Sequence, residues 1–213
     1  MRHATRIFTR RLCASLAALS LLTACSGIQP LPSAAPHQPF TTDPGQYQYL
    51  IGPGDGLSIF VWRNPDVSSS VTVRPDGRIT TPLVEDVMAA NKTPTQLARD
   101  LEKALGSYIK DPIVTVTATG FVGPYSEQVR VVGEAAKPQS LSYRQNMTLL
   151  DVMIAVGGLT EFADGNDALV VRIVGGKQQQ YSVRLEDLIK DGDISANAEL
   201  LPGDVIIIPE AFF

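Results

Sequence analysis

Apolar positions recur in alternation over Leu57-Ser58-Ile59-Phe60-Val61-Trp62, where the intervening Phe60 and Trp62 are aromatic, and again over Val71-Thr72-Val73, runs that predict strands. Pro75-Asp76-Gly77 lies between Val73 and Ile79 and reads as a turn joining two strands of a hairpin. At Thr93 the period changes. Leu97, Leu101 and Leu105 recur every four residues, while Arg99, Asp100, Glu102 and Lys103 fall on the opposite side. Thr93 as N-cap, Pro94 as first helical residue and Gln96 as capping-box partner predict where this helix starts, and Gly106 where it stops. Ile113 to Thr119, rich in β-branched residues, predicts a further strand.

The pattern then repeats in a second block. Val129 to Val132 predicts a strand, and Thr148-Leu149-Leu150-Asp151 predicts a second capping box. The helix it opens carries Leu149, Val152, Met153 and Val156 on one face and ends at Gly157-Gly158. Leu169–Val174 and Gln180–Leu185 flank Gly175-Gly176-Lys177 as a hairpin. A short helix near Glu186–Lys190 and a last strand over Val205–Ile208 complete the order hairpin, helix, hairpin, which fits a β-grasp fold. The fold class expected is therefore α+β: a β-rich first domain over 47–123, followed by one β-grasp domain over 124–213.

The N-terminus follows a different logic. Arg2, Arg6, Arg10 and Arg11 precede eleven largely apolar residues, LCASLAALSLL, too few to span a bilayer that needs about 20 in helical form. Residues 1–24 thus predict a signal peptide, and Leu22-Thr23-Ala24-Cys25 resembles the lipobox of bacterial lipoproteins, making Cys25 the expected lipidation site. Ser26 after the Cys, by resemblance to lipoprotein sorting in Gram-negative bacteria, favours the outer membrane. Residues 25–46 contain five Pro and few large apolar side chains, the composition of an extended tether. Removing the peptide takes away four Arg and no acid, moving the formal net charge from −4 to −8. An acidic chain without a Lys/Arg cluster excludes nucleic acid as a partner.

Candidate chemistry is sparse. The only two His (His3, His37) and two Cys (Cys13, Cys25) fall in the first 37 residues, so the folded part has no imidazole or thiol for a zinc site, a nucleophilic triad or a histidine base. No cofactor, metal or catalytic residue is expected. Glu85-Asp86, Glu186-Asp187 and Asp191-Gly192-Asp193 are the acids available to a glycosidase-like pair, but neighbours on a strand face opposite ways and the last set is turn-like, so solvated surface acids are expected. Asp164-Gly165-Asn166-Asp167 lacks the Gly and terminal Glu of an EF-hand loop and reads as a plain turn. A Pro-Gly-Asp turn feeds a strand twice, at Pro53-Gly54-Asp55 and Pro202-Gly203-Asp204. Because it leads into a strand and carries an acid, it is not a phosphate cradle. Tyr47, Tyr49, Trp62, Tyr125 and Tyr181 are the candidates to stack on sugar faces.

Three strings, YLIGPGDGLSIFVWRNPDV (49–67), VRPDGRITTPLVEDV (73–87) and KTPTQLARDLEKAL (92–105) with YIKDPIVTV (108–116), closely resemble the polysaccharide export domain of bacterial export lipoproteins. VRVVGEAAKP, TLLDVMIAVGGLTEFADGN and LLPGDVIIIPE resemble the soluble-ligand-binding β-grasp (SLBB) domain that follows it. The compact form with a single second domain looks most like the exosortase-associated (PEP-CTERM system) export proteins. Asn91 stands where the pattern usually has Gly, and Gln139 where Gly usually follows Pro138; Asn is the next-best residue for a left-handed turn, so that turn is expected to survive.

The resemblance implies an outer-membrane-anchored, periplasmic homo-oligomeric ring that conducts exopolysaccharide and couples to an inner-membrane chain-length regulator. The alternative is a non-conducting glycan-binding or adaptor lipoprotein. Since the sequence ends at Phe212-Phe213 just after its last strand, a separate outer-membrane β-barrel is the expected partner, and the two Phe are expected to serve packing or an interface.

Overall fold

A computed structural model describes residues 46–211. The expected signal peptide, the expected lipidation site Cys25, the expected tether as far as residue 45, and Phe212-Phe213 lie outside the described residues. Two hydrophobic cores organise what remains.

The first core is built on a three-stranded antiparallel sheet of β1 (Gly56–Val61), β2 (Ser69–Thr72) and β5 (Val114–Ala118), in the order β2-β1-β5. Leu57, Ile59 and Val61 point inward from β1, as their alternation predicted. Helix α1 (Pro94–Leu105) packs Leu97, Ala98, Leu101 and Leu105 on the same core. Fully burying a Leu side chain is worth about 1.5–3 kcal/mol, so these three leucines dominate what holds the helix down. Its start is fixed as the sequence indicated: Gln96 N–H donates to Thr93 Oγ1 (3.2 Å), and Thr93 N–H to Gln96 Oε1 (2.9 Å).

One pairing differs from expectation. The Pro75-Asp76-Gly77 turn forms, with Gly77 N–H donating to Arg74 O and Gly77 at φ 79°, but the strands on either side do not make a hairpin ladder. β2 pairs with β1, and β3 (Arg78–Thr81) pairs with β4 (Val84–Met88), closed by Pro82-Leu83. A turn fixes the direction of the chain locally; the sheet that each strand joins is decided by long-range packing. Asn91 takes φ 62°, so Asn does serve at the left-handed position.

The second core lies in a five-stranded mixed sheet ordered β7-β6-β10-β8-β9, with β6 (Gln128–Gly133), β7 (Ser140–Ser142), β8 (Ala168–Val174), β9 (Lys177–Val183) and β10 (Val205–Ile208). β10 runs parallel to β6 and antiparallel to β8. Helix α2 (Leu149–Val156) covers it with Leu149, Val152, Met153 and Val156, starts at the Thr148–Asp151 capping box, and ends with Gly157 in the left-handed region at φ 80°. The Gly175-Gly176 turn pairs Val174 with Lys177, so β9 begins three residues earlier than its apolar positions suggested. The short helix before β10 is a π-helix, Asp187–Asp191. These elements make an α+β protein whose second part has β-grasp topology.

Candidate functional site

Each Pro-Gly-Asp turn ends in a fully buried carboxylate. Asp55 and Asp204 are both 0% exposed, and each accepts the backbone N–H three residues earlier: Gly52 N–H at 2.9 Å and Leu201 N–H at 2.8 Å. From there they diverge. Asp204 is paired with Arg172, whose Nε and Nη2 donate at 2.9 and 2.7 Å, and the Arg172 guanidinium in turn lies 5.6 Å from the centre of the Tyr181 ring. Asp55 has no cation against it. Its Oδ1 accepts Val122 N–H (2.7 Å) and Gly123 N–H (2.9 Å), and its Oδ2 accepts the Tyr49 hydroxyl besides Gly52 N–H. Four donors satisfy a buried charge that would otherwise be costly.

The segment held by Asp55 is clamped on its other side as well. Gln128 Nε2, from the first residue of β6, donates to Val122 O and Gly123 O (both 3.2 Å), and the Ser142 Oγ–H in β7 is shared between Phe121 O (2.7 Å) and Val122 O (3.0 Å). The main chain at 121–123 is thus fixed from both cores, and the Phe121 ring, 61% exposed, projects from a rigid backbone.

Beside Phe121 opens a cavity of about 870 Å³. Tyr47, Tyr49 and Phe121 form one side, and the Tyr143–Met147 segment with Asp151, Ile154 and Ala155 of α2 forms the other. Its aromatic rings meet edge-on in two pairs, Tyr47 with Tyr143 (centroids 4.9 Å apart, 73° between planes) and Tyr49 with Phe121 (5.2 Å, 79°). Such pairs add about 0.5–1.5 kcal/mol each beyond area burial. Burial, helped by the charge of Glu127, pushes the Tyr47 phenol up to about 12. Burial and then the bond to Asp55 raise that of Tyr49, and burial raises that of Tyr143. All three stay protonated hydroxyls at neutral pH. Asp151, at the rim, is held below the usual carboxylate range by the Thr148 hydroxyl and N–H.

Of the five aromatics singled out in sequence, the fold brings Tyr47 and Tyr49 to this cavity and leaves three elsewhere. Trp62 (55% exposed) stands with Phe60 on the outer face of the first sheet, Tyr181 lies over Arg172, and Tyr125 is exposed in a short 3-10 turn. Phe121 and Tyr143 were missed, because nothing local marks an aromatic as lining a cavity closed by residues distant in sequence.

The acids stand as follows. Glu85 and Asp86 are both exposed, since Asp86 adopts φ 54° and breaks the alternation of β4; Asp86 pairs with Arg74 at 2.8 Å. Arg184 joins Asp187 (2.6 Å) to Asp193 (3.2 Å), Glu186 pairs with Lys190, and Gly192 at φ 71° makes 191–193 a turn. Asp164 Oδ1 accepts Asp167 N–H (3.2 Å), closing the 164–167 turn. Among the described residues no group of three His, Cys, Asp or Glu is placed to hold a metal ion, and no helix is long and apolar enough to cross a membrane.

Comparison with known proteins finds two family matches along the chain. Residues 43–119 match the family model described as polysaccharide biosynthesis/export protein, and residues 127–208 match the SLBB domain. Two curated relatives are each called EPS I polysaccharide export outer membrane protein EpsA. The one from Ralstonia nicotianae is 26% identical over 186 residues, covering 76% of this chain and 47% of its own length. The one from Ralstonia solanacearum is 26% identical over 182 residues, covering 74% and 47%. The chain therefore spans about half the length of these relatives. An export domain followed by an SLBB domain, matched in order over both hydrophobic cores, places the chain in the bacterial polysaccharide export protein family.

Proposed function

We propose that this protein is a periplasmic component of an exopolysaccharide export system, anchored in the outer membrane through acyl chains on Cys25 and assembled as a homo-oligomeric ring that conducts polymer to the cell surface. The observation that carries the reading is the succession of the two matched domains, export then SLBB, in a chain whose relatives are named export outer membrane proteins. Residues 1–24 act as signal peptide, 25–46 as tether, 47–123 as export domain and 124–213 as SLBB domain. The motif set and compact second domain favour the exosortase-associated group of these proteins. An inner-membrane chain-length regulator delivers the polymer, and a separate outer-membrane β-barrel completes the path. The protein binds and guides rather than cleaves, a reading supported by the ion pairs that tie Asp86, Asp187 and Asp193 to Arg and Glu186 to Lys190, and by the exposure of Glu85 on β4.

A second reading, a glycan-binding adaptor without a conduit, is favoured by the aromatic-lined cavity alone. Size-exclusion chromatography with light scattering on the detergent-extracted full-length protein separates the two. A closed multi-subunit ring supports the conduit, and a monomer contradicts it. Reconstitution into planar bilayers tests the partner: no large conductance is expected from this chain alone, and stable conductance would remove the need for a barrel.

A further inference from the structure

We propose that the cavity between Phe121 and the Tyr143–Met147 turn is a binding site for a pyranose segment of a glycan, with Phe121 as its stacking platform and Arg144 as its polar anchor. The inference rests on the export reading for the identity of the polymer, but on the geometry of the cavity for its place.

Three features select the ligand class. The cavity, about 870 Å³, falls within the roughly 300–1,000 Å³ of small-molecule sites and is too large for a lone water or ion. One side is aromatic, and the Phe121 ring is exposed on a main chain whose polar groups are bonded to Asp55, Gln128 and Ser142. A side chain held out in this way loses little conformational freedom when something stacks on it, which is how a preorganised anchor gains affinity. Ile154, 72% exposed on α2, extends the apolar surface.

The other side is polar. Among the described residues the Arg144 guanidinium has no hydrogen-bond or ion-pair partner, while the carboxylate of Asp151 nearby is engaged by Thr148. A purely apolar ligand would leave Arg144 unmatched. A polyphosphate would meet a single cation next to a carboxylate, too little charge to hold it. A pyranose ring has the required two-sidedness: a face of polarised C–H groups that suits the negative face of an aromatic ring, and an edge of hydroxyls that accept from a guanidinium. The ring also lies at the seam of the two matched domains, so that a bound sugar would touch both.

The test uses the full-length protein in detergent, titrated by isothermal calorimetry with oligosaccharides of four to eight sugars, about that range, released from the exopolysaccharide of the producing strain and size-fractionated. Wild type is expected to bind. Phe121→Ala is expected to weaken binding at least tenfold, Arg144→Gln about fivefold or more, and Trp62→Ala on the outer sheet face to leave it unchanged. Light scattering on each variant checks assembly. Three results would overturn the proposal: no binding by wild type, affinity unaltered in Phe121→Ala, or a Phe121→Ala protein that loses its oligomeric state, which would make the cavity an interface between copies. None of these touches the export reading, which falls instead if a strain lacking the protein secretes polymer normally.

Discussion

Replacing Asp55 by Asn keeps the size of the side chain and removes its charge and one acceptor. The carboxylate takes four donors, Gly52, Val122 and Gly123 N–H and the Tyr49 hydroxyl, in a place with no solvent contact. An amide offers one oxygen and one NH₂. If the oxygen keeps Val122 and Gly123, the NH₂ faces Gly52 N–H; the Tyr49 hydroxyl can turn to accept, but the Gly52 donor is left without a partner. If the amide flips, two backbone donors are stranded. An unsatisfied buried donor costs about 1–3 kcal/mol, and loss of charge assistance weakens the remaining bonds, so Asp55→Asn should destabilise by about 2–4 kcal/mol. Against a total stability of about 5–15 kcal/mol this is a large fraction. Trp62, the only tryptophan, lies just beyond β1 and reports on the first core, with its backbone N–H donating to Ile113 O (2.9 Å). Urea unfolding followed by its fluorescence gives the change directly. Tyr49→Phe, which removes only the hydroxyl, should cost about 1 kcal/mol. An Asp55→Asn protein within about 0.5 kcal/mol of wild type would refute the clamp, because surface changes without such a role fall in that range.

Gly52→Ala should be more severe than a usual Gly-to-Ala change, since its Cβ would lie 2.1 Å from the Gly123 carbonyl carbon and backbone cannot yield as a side chain does; a loss of about 3 kcal/mol or insoluble expression is expected in the same urea assay. In alkali, the folded-state value of Tyr47 lies above its ordinary 10.0, at about 12, so its contribution to stability is complete below pH 10 and lost as pH rises through 12. Phenolate absorbance should show a late-titrating class in the folded protein that moves to the ordinary value in urea; a single class in both states would contradict the burial of these rings. In acid the sign reverses. The Arg74 guanidinium holds exposed Asp76 down at about 2 from 3.8, and its contribution fades only as pH falls through that interval, seen as a shift in the urea midpoint. Cys25→Ala should abolish incorporation of labelled palmitate, and equal labelling of wild type and variant would dismiss the lipid anchor.

What the sequence made legible is local in its physics. Both α-helices among the described residues could be placed at their first residue because a capping box is written within four positions, Thr93–Gln96 and Thr148–Asp151. The strands β1, β5, β6, β8 and β10 followed from alternation or from runs of Val and Ile. The partner of β2 did not, because pairing is settled by which core its apolar side joins. The same limit governed the site. Pro-Gly-Asp was visible twice as turn chemistry, and both turns exist, yet nothing in the motif shows that Asp55 reaches Val122, 67 residues away, or that Asp204 waits for Arg172, 32 residues back. Phe121 and Tyr143 are unremarkable in sequence and become cavity walls only when the two domains are brought together. The unusual φ of Asp86 likewise overrode the rule that neighbours on a strand face opposite ways.

The export reading is tested most directly by deleting the gene in the producing strain and measuring exopolysaccharide separately in the medium and in the periplasm, with the wild-type gene returned on a plasmid as control. In the deletion strain polymer is expected to disappear from the medium and material already synthesised to be retained inside the outer membrane, and the returned gene is expected to restore secretion. Unchanged polymer in the medium of the deletion strain would contradict it.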